Sequence, residues 1–511
     1  MDTLCAGGAV WAEKTNTDGL TTPAGKSAPE PVFDARPGWV DFYHEALRMA
    51  RAHVVEVAGM PRSPYMDEGF APDTLWIWDT CFMALFCRYA PDVFPGVESL
   101  ENFYGPMHGG LSSPLKIQHP DNPPLFAWVE RENFRLTGDL RRVRWLLHET
   151  QALQKHFHWF DNLNRGDAFP WARIPSALRR GHAGFQWSGM AAGMDNSPRF
   201  DGPNGEVDGA RGFNGSKGLE GDPFVVDALA QQGLAARCIA ELAREAGELS
   251  LTVEYEERYE RIRHEVNTRH WDEADGFYYD RAARADGSAG GFSRVRTPAS
   301  FWPVLAGMAS SAQVERMAAF VRNADELGGE IPWPSVSRSH PGFDNATGEY
   351  WRGAVWLPTA YMGIKALSEN GHGALADETA ERVLSHMYRT WKNYEPATIW
   401  ECYDPNLPRP STHRGSLVRP DFCGWSALGP ISLFIEHVLG FHAISATQRE
   451  VHWRLHQTGR HGIRRLRFGD IETDIVYEED GSLFVKTSCP YRLHINGHVQ
   501  YIRQGTQRFR I

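Results

Sequence analysis

Two acidic side chains in short aromatic segments are the residues of this sequence best suited to chemistry. Asp195 lies in GMDNSPRFD, residues 193–201, where glycine and proline argue against a long regular helix. Glu401 lies much later in the chain, in TIWECYDPN, residues 398–406. A protonated acid and an ionised base or nucleophile are the pair that cleaves a glycosidic bond. The two segments therefore predict acid–base chemistry on a sugar.

Tryptophan residues surround both segments. An aromatic ring covers the apolar face of a sugar while polar neighbours bond its hydroxyls. We expect about half of the tryptophans at helix starts or in long loops to line a pocket, and the others to pack. These residues are Trp76, Trp78, Trp128, Trp187, Trp351, Trp356, Trp400 and Trp425.

Each carboxylate also has a purely structural interpretation. An Asp in a segment of this composition commonly makes an Asx turn or caps a helix. A half-buried Glu commonly pairs with an arginine, and Arg409, Arg414 and Arg419 follow Glu401. Catalysis instead requires that partial burial raise the pKa of Asp195, as a general acid near neutral pH needs.

The bulk composition excludes several classes of partner. The chain has 511 residues, 42% of them hydrophobic and 23% charged, with a formal net charge of −11. An acidic balance argues against nucleic acid, and no apolar run approaches the length of a membrane span. The first thirty residues lack the basic start and apolar block of a signal peptide. We expect a small carbohydrate substrate, with no nucleic-acid and no membrane partner.

The cysteines predict a reducing compartment. Their number is odd and no CxxC pair occurs, so a cytoplasmic protein is the simplest interpretation. Cys81 and Cys87 fall in an apolar helical pattern and are predicted to be buried thiols. We interpret Cys402 as a neighbour of the catalytic segment and not as a nucleophile, which needs a histidine base. The seven are Cys5, Cys81, Cys87, Cys238, Cys402, Cys423 and Cys489.

Apolar residues at spacings of three and four predict consecutive helices in pairs. Such helical hairpins can close as an α/α toroid whose loops gather at one end; an open α-solenoid would need regular repeats. The Gly- and Pro-rich loop at 161–221 is long enough to be functional. The predicted helices are 38–57, 73–90, 125–139, 140–160, 222–247, 251–271, 298–308, 312–323, 351–369, 376–393 and 424–439.

The two ends of the chain differ from its helical middle. We predict an extended leader at 1–34, a helical catalytic domain at 35–445 and a small β-strand domain at 446–511. The last domain alternates polar and apolar residues and carries turn dipeptides such as Asp480-Gly481. We interpret it as structural, with an accessory sugar-binding role as the alternative.

Several segments together resemble a known family. They are similar, in order along residues 70 to 440, to the motifs of glycoside hydrolase family 63 and its bacterial relatives, which include glucosylglycerate and mannosylglycerate hydrolases. Trehalases of family 37 are similar at a greater distance. The segments are WIWDTCF (76–82), PPLFAW (123–128), GMDNSPRFD (193–201), EYWRGAVWLPTAY (349–361), TIWECYDPN (398–406) and GWSALGP (424–430).

The resemblance implies an all-α fold, an (α/α)6 barrel, acting on α-linked glycosides with inversion. Asp195 would be the general acid and Glu401 the general base that activates water. Their carboxyls would stand roughly 6.5–9.5 Å apart to admit that water. The predicted substrate-binding residues, which include six of the tryptophans named above, are Trp76, Trp78, Asp79, Gln118, Trp187, Gly193, Asn196, Tyr350, Trp351, Gly353, Trp356 and Trp425. Gly353 would let the backbone approach the sugar.

The sequence departs from the family pattern at some positions. Gly189 competes with Gly193 for alignment with the family glycine. Cys402 replaces a frequent Asn, and Ala354 replaces the usual Pro. The β segment at 446–511 has no counterpart in the family motifs. An acidic aglycone would need a cation, for which Arg199, Arg211 and Lys217 are candidates.

Other functions fit these residues less well. A sugar isomerase or epimerase would use histidines, yet none of the 21 falls within the motif segments at 193–201, 349–361, 398–406 and 424–430. An inactive sugar-binding protein would be expected to lack one carboxylate. We predict no cofactor and no catalytic metal, because HExxH and tight His/Asp clusters are missing from the sequence. A weak calcium loop at Asp344, Asn345 and Glu349 is the alternative.

Overall fold

The computed structural model describes residues 28–181, 183–201, 222–284 and 286–510. A helix from Trp425 to Val438 has tight turns at Trp425–Leu428 and wide π-type turns at Gly429–Val438, and is called the 425–438 helix. The other helices are α1 (Pro37–Ala52), α2 (Ile77–Cys87), α3 (Glu101–His108), α4 (Phe126–Thr137), α5 (Leu140–Arg144), α6 (Ala152–Asn162), α7 (Val226–Ala246), α8 (Leu249–Arg269), α9 (Trp302–Leu305), α10 (Ser311–Arg322), α11 (Leu357–Glu369) and α12 (Gly373–Asn393).

Strands lie at both ends of the described chain and between the helices. They are β1 (Glu30–Phe33), β2 (Val54–Val55), β3 (Tyr65–Met66), β4 (Thr74–Leu75), β5 (Lys116–Ile117), β6 (Arg179–Gly181), β7 (Gly184–Gln186), β8 (Phe224–Val225), β9 (Trp271–Asp272), β10 (Phe277–Tyr278), β11 (Arg281–Ala283), β12 (Ala289–Phe292), β13 (Thr412–His413), β14 (Ser416–Leu417), β15 (Ala443–Ser445), β16 (Glu450–Trp453), β17 (His461–Phe468), β18 (Ile471–Tyr477), β19 (Ser482–Thr487), β20 (Tyr491–Ile495), β21 (His498–Ile502) and β22 (Gly505–Arg510).

The most buried helices follow one another around a closed cycle of contacts. In order, α2 packs against α4, α4 against α7, α7 against α9 and α9 against α11. Helix α11 packs against the 425–438 helix, which returns to α2. Every residue of α2 and of Gly429–Val438 is buried, whereas α8 and α12 bury only one face. Helices that are buried on all sides, such as α2, form the inner cycle, and the amphipathic helices α8 and α12 lie outside it.

The amino ends of three inner helices meet at one end of this cycle. Trp356, which precedes α11, lies 5.7 Å from Trp425 between ring centroids. Phe70 packs on Trp425 at 5.8 Å and on Trp76, which precedes α2, at 5.2 Å. Loops that enter these helices therefore converge on one region.

Two sheets follow the helices. The first has the order β1-β17-β18-β19-β22, and the second has the order β15-β16-β20-β21. Trp453 attaches the second sheet to the helices, since its Nε1 donates to the Leu439 carbonyl at 2.7 Å and its ring stacks on Phe441 at 4.9 Å. β1 pairs with β17, although it precedes residue 35. The domain limits at 34 and 445 stay predictions.

The structure corrects several predicted elements. The helix predicted at 140–160 is interrupted, because Gln151 has a left-handed φ of 52° between the π-type turns Trp145–Glu149, which continue α5, and α6. The helix predicted at 351–369 begins only at Leu357, after Gly353 with a φ of 146°. The loop predicted at 161–221 contains β6 and β7, in a sheet of order β12-β11-β8-β7-β6. Helix α3 was not predicted.

No helix in the described ranges combines the length and apolarity that a membrane crossing requires. Cys81 and Cys87 are buried, as predicted. Cys5 and the leader residues 1–27 lie outside the described residues.

A network of buried charges joins the inner helices at their carboxyl halves. Arg88, just after α2, contacts Glu132 of α4 and Glu436 of the 425–438 helix, each at 2.8 Å. Lys365 of α11 lies 3.1 Å from Glu132 and 3.9 Å from Glu436. Arg131 extends the network to Glu241 of α7 at 3.3 Å. The network therefore ties together helices that are distant in sequence.

Positive charge outweighs burial at both glutamates. Burial alone would raise the pKa of Glu132, but Lys365 and Arg131 lower it well below its usual value. At Glu436, Arg88 and Lys365 likewise overcome burial and lower the pKa. A carboxylate whose pKa is lowered by folding stabilises the fold at a pH above its unfolded pKa, and loses that contribution as the pH falls through its folded pKa.

We predict that Lys365→Met lowers the free energy of unfolding by about 3–5 kcal/mol, because it leaves buried carboxylates short of a cation. It also moves acid unfolding to higher pH, since the pKa values of Glu132 and Glu436 rise. Urea titration at several pH values measures both effects. Lys155→Met, on the exposed side of α6, is the matched control and should stay within about 0.5 kcal/mol of the parent. Equal stability of the two variants would show that the network contributes little.

Candidate active site

Asp195 lies in a turn that is fastened on both sides. The Met194 amide donates to the Gly189 carbonyl at 2.9 Å, and Ser197 Oγ accepts from the Arg199 amide at 3.5 Å. Gly193 has a φ of 76°, and a Cβ there would lie 3.1 Å from the Trp78 ring. Glycine therefore permits both this backbone and its close approach to α2.

Arg199 anchors the same turn from inside the protein. Its guanidinium contacts Asp227 at 2.6 Å and Asp280 at 2.8 Å, and its side chain is 1% exposed. The expectation that Arg199 is available to an acidic aglycone is therefore wrong, because two buried carboxylates already neutralise it. Arg211 and Lys217 lie outside the described residues.

Glu401 is held by donors around its carboxyl and its backbone. The Tyr350 hydroxyl donates to Oε1 at 2.8 Å, and the Arg419 amide donates to Oε2 at 3.2 Å. Trp425 Nε1 and Ser426 Oγ donate to the Glu401 carbonyl at 3.0 and 3.2 Å. Burial raises the pKa of Glu401, while Tyr350 and Arg419 act in the opposite direction. These contacts fix the carboxyl in one orientation.

The turn at 349–351 connects the two carboxylate segments. Asn196, next to Asp195, donates to the Glu349 carbonyl at 3.0 Å and accepts from the Trp351 amide at 2.8 Å. The intervening Tyr350 has a left-handed φ of 64° and directs its hydroxyl to Glu401. A strained backbone of this kind persists only where its surroundings fix it.

The charges of both carboxylates raise the pKa of the same two groups, Tyr350 and Asp79. Burial, followed by the charges of Glu401 and Asp195, raises the pKa of Tyr350 well above its usual value. Burial also raises the pKa of Asp79, and Glu401 and Asp195 add to that rise. Both carboxylates therefore act on Asp79 and Tyr350 from nearby, although they are far apart in sequence.

Aromatic rings form one wall of this region. Trp351 and Trp356 stack at 4.0 Å with planes 7° apart, and Tyr350 meets Trp356 edge-on at 4.7 Å. Trp425 and, through Phe70, Trp76 continue the wall. The backbone amide of Gln118 donates to the carbonyl of Leu75, the residue before Trp76, at 2.8 Å.

Other predicted residues serve packing. Trp187 is fully buried and meets Phe160 edge-on at 6.1 Å, while Trp128 packs between Phe82 and Trp302. A Cβ on Gly353 would lie 2.8 Å from the Phe343 ring, so this glycine permits close contact between two chain segments, and its approach to a sugar stays a prediction.

Contacts within the protein account for the residues of the possible calcium loop and for Cys402. Asp344 accepts from the Thr347 amide and hydroxyl, each at 3.0 Å, and Glu349 accepts from the Thr412 hydroxyl at 2.6 Å. Cys402 is fully buried, which raises the pKa of its thiol well above its usual value. A thiol in that state is not an activated nucleophile.

Glu68 is a functional candidate that the sequence analysis missed. It is 1% exposed, and neither carboxyl oxygen hydrogen-bonds to any described residue. Burial, then the charges of Asp67 and Asp79, raise its pKa well above the usual value. The available signal was an acidic pair before Gly69-Phe70, just ahead of α2. Carboxyls left unpaired inside a protein are costly and mark places where a ligand supplies the partner.

His413 was also missed. Its ring stacks on Tyr350 at 3.9 Å with planes 6° apart. Glu349 holds the β13–β14 hairpin that carries it, through the Thr412 hydroxyl. The hairpin thereby covers one face of the tyrosine that contacts Glu401.

Comparison with known proteins decides the class. Residues 110–414 match the family model of the mannosylglycerate hydrolase MGH1-like glycoside hydrolase domain. The chain belongs to this family. It is a glycoside hydrolase, acting on O-glycosyl bonds, and the predicted resemblance to family 63 is confirmed.

The relatives of this hydrolase match it over different shares of the chain. An uncharacterized protein of Borreliella burgdorferi is 23% identical over 86% of this chain and 87% of its own. A probable mannosyl-oligosaccharide glucosidase of Schizosaccharomyces pombe is 23% identical over 80% of this chain. The match covers 53% of that protein, so this chain spans about half of its length. The mannosylglycerate hydrolase of Thermus thermophilus is 31% identical over 25% of this chain and 30% of its own.

Solved structures show that the hydrolase shares its fold with other glycosidases. A family 63 mannosylglycerate hydrolase of Thermus thermophilus in complex with glucose has a TM-score of 0.55 at 19% identity, over 76% of this chain and 99% of that one. A protein described as a sialidase has a TM-score of 0.63 at 13% identity, over 94% of this chain and 40% of that one. The second match covers more of this chain, 94% against 76%, and so extends over residues of the C-terminal sheets.

Proposed function

We propose that this hydrolase is an inverting α-glycosidase for a short α-glucoside or α-mannoside, with Asp195 as general acid and Glu401 as general base. The observation that carries the proposal is the turn at Tyr350–Trp351. Its tyrosine hydroxyl bonds Glu401, and its tryptophan amide bonds the neighbour of Asp195. One rigid turn therefore positions both carboxylate segments.

The closed cycle of buried helices supports an (α/α)6 barrel as the scaffold. The cycle has α2, α4, α7, α9, α11 and the 425–438 helix as its members. In such a barrel the loops at one end form the active site, and the aromatic contacts bring the amino ends of three of these helices together. Catalysis at this end leaves the buried charges at the other end to hold the barrel closed.

The hydrogen bonds of Glu401 favour its role as the base. Both of its carboxyl oxygens accept from donors, Tyr350 and Arg419, and donors stabilise the ionised form. Burial raises its pKa at the same time. A base whose pKa approaches the working pH accepts a proton from water more readily.

Asp79 and Glu68 supply polar groups for the sugar. Asp79 Oδ1 and both Glu68 carboxyl oxygens are buried and have no hydrogen-bond partner among the described residues. Sugar hydroxyls bound at Asp79 would satisfy such a group, while Trp76, which is partly exposed, would provide aromatic surface. For an acidic aglycone such as glycerate, Arg419 offers a cation, since it lies over Phe70 at 4.6 Å and its amide bonds Glu401.

The first experiment is hydrolysis of a panel of α-glucosides and α-mannosides, including trehalose, kojibiose, glucosylglycerate and mannosylglycerate. We expect turnover of at least one, with a product of inverted anomeric configuration by NMR. Asp195→Asn and Glu401→Gln should each lower kcat by at least about 10²-fold, because each removes one proton transfer. Glu254→Gln, on the outside of α8, is the control and should match the parent. Retained configuration, or near-normal kcat in either carboxylate variant, would refute the proposal.

The second experiment follows activity against pH. Because the base must be ionised and burial raises the pKa of Glu401, kcat/KM should fall on the acidic side at a pH above the usual Glu value of 4.5. Tyr350→Phe removes a donor that lowers this pKa, so its acidic limb should move to higher pH.

Tyr361→Phe is the matched control, because Tyr361 also donates to a buried glutamate, Glu436, at 3.0 Å. That contact belongs to the charge network at the other end of the helices, so the acidic limb should not move. A limb that stays in place in Tyr350→Phe, or moves to lower pH, would argue against Glu401 as the base.

A further inference from the structure

The second C-terminal sheet carries a cluster of metal-binding side chains on one face. His452 of β16 and His494 of β20 stand directly opposite each other in the parallel pairing of these strands. Glu450 precedes His452 by two residues and therefore points to the same side of the sheet. All three residues are partly exposed. The cluster belongs to no predicted site, since the sequence spacing of its members is irregular.

The ligand atoms of this cluster converge. The two imidazole rings stack with centroids 4.1 Å apart and planes 8° apart, so rotation of one ring would turn both Nε2 lone pairs toward a common ion. Glu450 Oε2 lies 3.5 Å from His452 Nε2, and Glu450 Oε1 lies 3.4 Å from His494 Nε2. One ligand atom of each residue lies within 4.8 Å of the others. One carboxylate therefore faces both imidazoles.

These separations suit a shared ion better than hydrogen bonds. Hydrogen bonds from a ring nitrogen to a carboxylate are usually about 2.7–2.9 Å long. Two metal–ligand bonds of about 2.1 Å at a tetrahedral angle place their ligand atoms about 3.4 Å apart. His494 Nε2 is buried and has no hydrogen-bond partner among the described residues. That nitrogen therefore has an unused capacity that an ion would satisfy.

We propose that Glu450, His452 and His494 form a Zn²⁺ site in the C-terminal sheet, with water as the remaining ligand. Two imidazoles and one carboxylate are ligands that Zn²⁺ accepts together. Arg492, which contacts Glu450 Oε1, would orient the carboxylate and leave Oε2 toward the ion. The site is separate from the residues of the proposed reaction and does not depend on the proposed function.

The ion would hold the sheet to the helical body. β16 is fastened to the helices by Trp453, and β20 pairs with β16. A metal bound by His452 and His494 would cross-link these two parallel strands. Binding to the folded state alone stabilises it in proportion to the logarithm of the free metal concentration.

The test titrates the full chain, freed of metal with EDTA and dialysed, with ZnCl₂ by calorimetry and thermal unfolding. We expect one Zn²⁺ per chain with a Kd of about 10 µM or tighter, and a Tm that rises with Zn²⁺. His452→Ala and His494→Ala should each weaken binding at least about tenfold, and the double variant should abolish it.

His498→Ala is the matched control, because His498 is an exposed histidine of the adjacent strand β21 outside the cluster, and its Kd should equal that of the parent. Far-UV circular dichroism checks that each variant is folded. Lack of saturable binding by the parent, or binding that persists in the folded double variant, would overturn the proposal.

Discussion

Charges buried between the inner helices are the constraint on which this fold depends. Removing an ion from water costs several kcal/mol even in a relaxed protein, so Glu132 and Glu436 require cations within contact distance. Arg88 and Lys365 meet that requirement only if α2, α4, α11 and the 425–438 helix all keep their places. The network therefore specifies which helices are neighbours, which apolar packing alone does less strictly. The other end of the same helices is then free to carry groups that are not neutralised.

At the end of the helices that carries the candidate site, three buried carboxyls of the described residues are not neutralised by cations. Asp79, Glu401 and Glu68 are buried, and burial raises the pKa of each of them. A fold stabilised elsewhere can tolerate this cost, and the result is a set of acidic groups whose hydrogen-bonding capacity is left for a ligand. Tyr350, held in a left-handed conformation, is a further strained element of this end, and its hydroxyl donates to Glu401.

The sequence predicted what local patterns determine. Helices α7, α8 and α12 begin and end within a few residues of their predicted limits, because their apolar spacing is a local signal, and Gly247 ends α7. Helix α3 was missed since Gly105 and Pro106 interrupt its pattern. Within the candidate site, the short motifs singled out Asp195, Glu401 and Asp79, whose roles stay predictions, and in the structure Glu401 accepts a hydrogen bond from Tyr350. Arg199 was misinterpreted because its partners lie 28 and 81 residues away and leave no local trace. Glu68 was missed because an acidic pair before a glycine resembles a solvated turn.

The central claim is that Asp195 and Glu401 face one sugar from opposite sides. A crystal structure of the Glu401→Gln variant with an uncleaved α-glycoside tests it most directly. We expect the Asp195 carboxyl carbon and the Cδ atom at position 401 to lie roughly 6.5–9.5 Å apart, with a water between position 401 and the anomeric carbon. A separation of about 5 Å, which suits a retaining mechanism, or a sugar that contacts only one of the two residues, would contradict the account.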